Sequence, residues 1–140
     1  GAVVAGLRAG YVFNTWPLMG NSFAPPGLAS LTPLWRNAVD NPVAVQFIHR
    51  CTAYLVALYA LRVAWRLKVA GATPQAAAIA GLVLLQVTLG ILTVVHGVPI
   101  PVAVAHQACA ALLLASTIWA AHWCWQGRRA ALSTHARRLG

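Results

Sequence analysis

Three long apolar runs, residues 43–67, 74–95 and 102–125, limit what this chain can fold into more than any other feature of it. The first alone is about 25 residues long, and about 20 apolar residues in a helix already cross a hydrocarbon core of about 30 Å. The composition agrees: 60% of the 140 residues are hydrophobic, 8% are charged, and the mean hydropathy is +0.71, far from the balance of a soluble domain. The expected fold is all-α, a polytopic membrane helical bundle with three complete transmembrane helices plus the end of a fourth. That end is residues 1–13, apolar but covering only about 20 Å as a helix, and it reads as the tail of a longer span in a larger polytopic protein. No charged n-region or cleavage site precedes it, so it does not read as a signal peptide.

A net charge of +9, from ten Lys and Arg against the single acid Asp40, raises nucleic acid as a partner. The distribution argues for no nucleic acid, because no basic stretch carries the interleaved aromatics of a base-stacking groove. Most basic residues instead stand at the ends of the apolar runs, and the partner they imply is the lipid bilayer. Arg62, Arg66 and Lys68 close the first run, and Arg128, Arg129, Arg137 and Arg138 follow the third, whereas the 96–101 connection has no basic residue. By the positive-inside rule the 66–73 connection and the basic tail at 127–140 face the cytoplasm, or the matrix in a mitochondrion, and the 14–41 and 96–101 segments face outward. Trp65, Trp119, Trp123 and Trp125 lie near the inner ends, where an aromatic belt belongs. The expected location is a bacterial inner (plasma) membrane, or the mitochondrial inner membrane in a eukaryote. Cys51, Cys109 and Cys124 are odd in number and fall within the spans, so they imply no disulfide framework.

Residues 14–41 contain Pro17, Pro25, Pro26 and Pro33 and resist a continuous helix. They read as an outward-facing loop long enough to be a lid, with Trp16, Phe23 and Trp35 as membrane-surface anchors and residues 33–36 opening a short interfacial turn. Pro42 stands at a helix start, with Asp40 or Asn41 as N-cap. Gly71 and Thr73-Pro74 make the next turn, Thr73 serving as N-cap and Pro74 as the first helical residue.

Residues 42–126 then carry the chemistry, because two imidazoles lie inside them at matching depth. His49 is seven residues past Pro42 and His106 five past Pro101, each roughly 8–10 Å along helices that run in the same direction. A heme iron takes two imidazole nitrogens from opposite faces of the porphyrin, and facing helices of a bundle supply that arrangement. Thr52, Ala53, Val56 and Ala60 share the His49 face, and Ala103, Cys109, Ala110 and Leu113 the His106 face. Such small residues leave clearance for a flat macrocycle, and they also serve close helix packing in lipid with no cofactor. A single intramembrane histidine reads most simply as an interhelical hydrogen bond. Two at one depth point to a shared metal, because ionisable residues in spans are costly and usually functional.

His122 lies about 24 Å further along the same helix as His106 and reads as interfacial, and His135 as solvated in the tail. His96, at the outer end of the second span, is the competing ligand, or else a propionate or substrate contact. Arg50 either holds a heme propionate with its fork or snorkels to the outer surface. Arg36 is a second propionate candidate. Gln46, one turn before His49, is placed to orient the imidazole through its second nitrogen or a water. Gln86, in the middle of the second span, reads first as a hydrogen bond between helices.

These residues resemble a known family. Val4-Ala5-Gly6-Leu7-Arg8-Ala9-Gly10-Tyr11, Asn14-Thr15-Trp16-Pro17-Leu18-Met19, Asn41-Pro42, Val45-Gln46-Phe47, His49-Arg50, Gln86, Leu89-Gly90, Thr93, Val98-Pro99 and Ala105-His106-Gln107 closely resemble, in this order, the second half of heme A synthase. The resemblance runs over most of the chain, from Val4 to Trp125. It implies eight membrane helices in two similar four-helix bundles, each with a histidine pair near the outer face, of which this chain is the end of the fifth helix and the sixth to eighth. It implies conversion of heme O to heme A, by oxidation of a ring methyl group to a formyl group, for cytochrome oxidase assembly. The second half would hold heme b through His49 and His106, and the first half would take the substrate. The implied partners are heme O, the N-terminal half of the same enzyme, and heme O synthase.

By the same resemblance the first half carries its own histidine pair and an acidic residue, so this chain by itself is expected to be incomplete for catalysis. Where that half has a carboxylate one turn before its histidine, this one has Gln46, which argues against general acid or base chemistry centred here. Two other classes share the residues: a membrane electron-transfer b-type cytochrome without heme-modifying activity, and a structural or transport subunit without heme, its histidines making only interhelical hydrogen bonds.

Overall fold

Each apolar run forms one long helix in the computed structural model, which describes residues 1–139, with side chains for residues 1–129. The side chains of His135, Arg137 and Arg138 lie outside the described residues. The element order is α1 (Ala2–Gly6), a 3-10 turn at Ala9–Tyr11, a second at Leu34–Arg36, α2 (Asn37–Asp40), α3 (Pro42–Val69), α4 (Thr73–Val95) and α5 (Ile100–Leu139). Among the described residues there is no strand, only an isolated bridge between Met19 and Ser22. Three helices, Pro42–Val69, Thr73–Val95 and Ile100–Arg129, are long and apolar enough to cross a membrane. Their outer faces expose Leu55, Leu58, Leu84, Leu112 and Ile118, as lipid-facing surfaces do.

The helix starts follow local chemistry. Asn41 is the N-cap of α3, its Oδ1 accepting from the Val43 and Ala44 amides at 3.0 and 3.4 Å, with Pro42 in the first turn, where no amide donor is needed. α4 begins at Thr73 with Ala72 in the cap position, one residue earlier than the sequence predicts. Gly71, at φ +85°, makes the turn before it. Between α4 and α5, Gly97 and Val98 have φ of +70° and +59°, and for a β-branched residue such a backbone is strained. A Cβ on Gly10 would stand 3.0 Å from Val98 Cγ2, so the N-terminal segment is packed directly over this turn.

That segment is not one helix. α1 ends at Gly6, Arg8 is left-handed at φ 52°, and the chain resumes as a 3-10 turn. Gly6 and Gly10 are the weak points, each disfavouring helix by about 1 kcal/mol relative to alanine. At the other end α5 continues through the basic stretch to Leu139, which contains no proline to stop it.

α4 lies between α3 and α5 and packs against both, whereas α3 and α5 scarcely touch each other. The core is built on Ala64, Leu67, Ala72, Ala76, Ile79, Val83 and Ala120. Alanine dominates because association in lipid depends on close backbone approach rather than on hydrophobic burial. Between α3 and α5 runs an apolar groove of about 290 Å³, with Val56, Tyr59 and Ala60 on one wall, Ala110, Leu113 and Thr117 on the other, and Ile79 of α4 beneath.

Candidate functional site

His49 is the eighth residue of α3 and His106 the seventh of α5, so their distances from the helix starts differ by one residue, about 1.5 Å, and the two imidazoles stand at nearly one level. Both are half-buried, and they lie within electrostatic range of each other. The groove continues inward from this level, since Val56 and Leu113 are each seven residues beyond their histidine on the same helix face.

His106 has a defined seat on α4. A Cβ on Gly90 would come within 3.0 Å of its Cε1 and 3.6 Å of its Nδ1, so the ring rests against the α4 backbone at a point only glycine leaves open. One turn earlier on that face, Gln86 Nε2 lies 3.3 Å from His106 Nε2. The interhelical hydrogen bond expected of Gln86 is present, and its partner is the candidate histidine. His106 Nδ1 and Gln86 Oε1 are both buried with no hydrogen-bond partner.

Gln46 and Arg50 face elsewhere. Gln46 Nε2 donates to the Phe13 carbonyl at 3.0 Å, and Arg50 Nη2 donates to the same oxygen at 3.1 Å. Arg50 Nη1 donates to the Thr15 and Leu18 carbonyls at 2.8 and 3.3 Å. Residues 46 and 50 stand about 40° apart around the helix, with His49 about 100° from Arg50. Two side chains the sequence assigns to imidazole and propionate therefore bind the loop backbone, leaving Gln46 Oε1 and Arg50 Nε buried without partners.

Arg36 is exposed and paired with Asp40, Nε to Oδ2, at 2.9 Å. His96 is exposed, with Nδ1 3.0 Å from the Leu92 carbonyl of its own helix. His122 is also exposed, 2.8 Å from Gln126, and takes no part in the His49–His106 level. The loop is knit from within: Asn41 Nδ2 donates to the Gly27 carbonyl, Ser30 Oγ and Asn37 Oδ1, and Asn37 Nδ2 donates to the Leu31 and Leu34 carbonyls. Gly90, named in the sequence only among the residues of the resemblance, and the Phe13 carbonyl are the features of the site to which sequence reasoning gave no role. The spacing of Gln86 and Gly90, four residues apart on one helix face, is the signal that could have found the first.

Residues 1–118 match the family model described as cytochrome oxidase assembly protein. The chain is 49% identical to the heme A synthase of Rhizorhabdus wittichii over 122 residues, covering 87% of this chain and 35% of that protein. It is 53% identical to the heme A synthase of Beijerinckia indica over 124 residues, 84% of this chain and 34% of that protein. Against the heme A synthase of Parvibaculum lavamentivorans the identity is 43% over 122 residues, 87% of this chain and 36% of that protein. The chain thus spans about a third of the length of the curated relatives it matches. No solved structure matches it. With the family model covering most of its length, this chain belongs to the cytochrome oxidase assembly protein family, alongside the bacterial heme A synthases.

Proposed function

We propose that this chain is the C-terminal, heme-b-holding half of a heme A synthase, an oxidoreductase that converts the methyl group of heme O to the formyl of heme A for cytochrome oxidase assembly. His49 and His106 ligate the iron of the resident heme. The observation that carries the reading is the pair of half-buried imidazoles at one level on two helices that scarcely touch, with His106 Nδ1 buried and unpartnered. Among the described residues no cluster of three His, Cys, Asp or Glu could enclose a bare ion. Two imidazoles suit a metal whose other ligands arrive with it, as a porphyrin's do. When bound, heme supplies one-electron redox chemistry.

The chain's own residues hold and shield that site. Gly90 leaves room for the His106 ring, the walls of the groove are apolar, and Gln46 and Arg50 fasten residues 13–18 to the outer part of α3. The exposed Arg36, now paired with Asp40, is the cation accessible to propionates, whereas the Arg50 fork is taken up by the Phe13, Thr15 and Leu18 carbonyls. Gln46 is neutral and engaged by the loop, so it offers His49 no carboxylate, which favours electron transfer here and methyl oxidation in the N-terminal half. The site faces the outer side of an inner membrane, with the 127–140 tail in the cytoplasm, and heme O synthase is the partner that would supply heme O.

Reconstitution of the purified chain with heme should give a six-coordinate, low-spin spectrum, and His49→Ala and His106→Ala should each abolish it. Retention of that spectrum after either change would transfer the ligand role to His96. The neutral Gln46 also suits a plain electron-transfer cytochrome. Formation of heme A, measured by chromatography when the intact parent protein is supplied with heme O, separates the enzyme from that reading.

A further inference from the structure

We propose that Gln86 is the positioning residue for His106: its side-chain carbonyl accepts the N–H of Nε2, the ring nitrogen it faces, leaving Nδ1 for the metal, while Gly90 seats the ring. The inference rests on His106 being a heme ligand and adds the group that fixes its proton. A neutral imidazole carries one N–H and one lone pair. Ligation uses the lone pair, so the other nitrogen must donate, and inside a bilayer there is no water to receive it.

The side chain the structure sets against His106 is Gln86, at 3.3 Å from Nε2. Two buried atoms of this pair lack partners, the acceptor Gln86 Oε1 and the ring nitrogen His106 Nδ1. Turning the carboxamide about its last torsion exchanges Oε1 for Nε2 in the same place. That single movement replaces a hydrogen bond in which the carboxamide donates to the ring nitrogen by one in which Oε1 accepts the ring N–H, and it satisfies the orphaned oxygen. Gly90 keeps the ring within reach, since any side chain there would meet Cε1 at 3.0 Å.

His49 has no equivalent. The glutamine one turn before it is fixed to the Phe13 carbonyl. The two ligands are therefore unequal, and the α5 histidine is the more basic, because an acceptor on the outer nitrogen of a ligating imidazole raises its donor strength.

The test uses the heme-reconstituted chain, reading midpoint potential by spectroelectrochemistry and heme loss to an acceptor globin. Gln86→Leu should raise the potential and speed heme loss by about tenfold, the usual scale for removing an outer-shell partner. Gln86→Glu, a stronger acceptor of the same shape, should lower the potential. Opposite signs are the signature of the hydrogen bond, because a packing defect would move both variants the same way. Parent-like values in both variants, or shifts of one sign, would overturn the proposal. His106→Ala serves as the control: survival of the six-coordinate spectrum there means the ligand assignment itself has failed, and the role of Gln86 falls with it.

Discussion

The Phe13 carbonyl accepts from both Gln46 and Arg50, and around it Arg50 finds two further carbonyls at Thr15 and Leu18. A cation inside an apolar helix is tolerated because these oxygens replace its water. Arg50→Ala should destabilise the outer end by on the order of 2–3 kcal/mol, seen as faster proteolysis across residues 13–18 with the ligand spectrum retained. Lysine should not rescue it, since a single ammonium cannot reach carbonyls spread over a fork. Loss of the heme spectrum in Arg50→Ala would show instead that the guanidinium contacts the cofactor. None of this was legible in the sequence, where the partners of Gln46 and Arg50 are 32 to 37 residues away. A side chain's helical face is readable from spacing, but the loop that will lie across that face is not. The similar depth of His49 and His106 was legible because it follows from counting residues along helices whose starts are marked by prolines.

At the scale of elements, the three long helices follow from uninterrupted apolar length, and the start of α3 from Asn41 and Pro42. The irregular pieces do not follow, because apolarity carries no information about backbone angles: the left-handed Arg8 divides residues 1–13, and α5 runs past the basic stretch. The strained Val98 sits against Gly10, where an added methyl group would stand 3.0 Å from its Cγ2 and fit only if the valine gave way. Gly10→Ala should therefore lower stability by about 1–3 kcal/mol through overpacking, measured as a fall in Tm in detergent. Adding Val98→Ala should recover most of the loss, because it removes the Cγ2 that the new methyl meets. Additive losses in the double variant would place the strain elsewhere.

For the whole molecule, the proposed orientation, read from the basic residues of the 66–73 connection and the C-terminal stretch, has those ends in the cytoplasm and the 14–41 loop outside. In a cysteine-free background, Asn21→Cys should react with a membrane-impermeant maleimide added to intact cells, and Arg128→Cys only after permeabilisation. The reverse pattern would invert the topology. One architectural fact reaches further. Because α3 and α5 meet almost solely through α4, α4 acts as the bar of a caliper whose two jaws carry the imidazoles. The opening of the jaws is set by the alanines on both flanks of the bar, Ala76 among them, about 15 Å below Gln86 along α4. The gap between the two imidazoles, proposed to admit a flat cofactor, is thus gauged at the far end of the bundle, by side chains remote from both histidines.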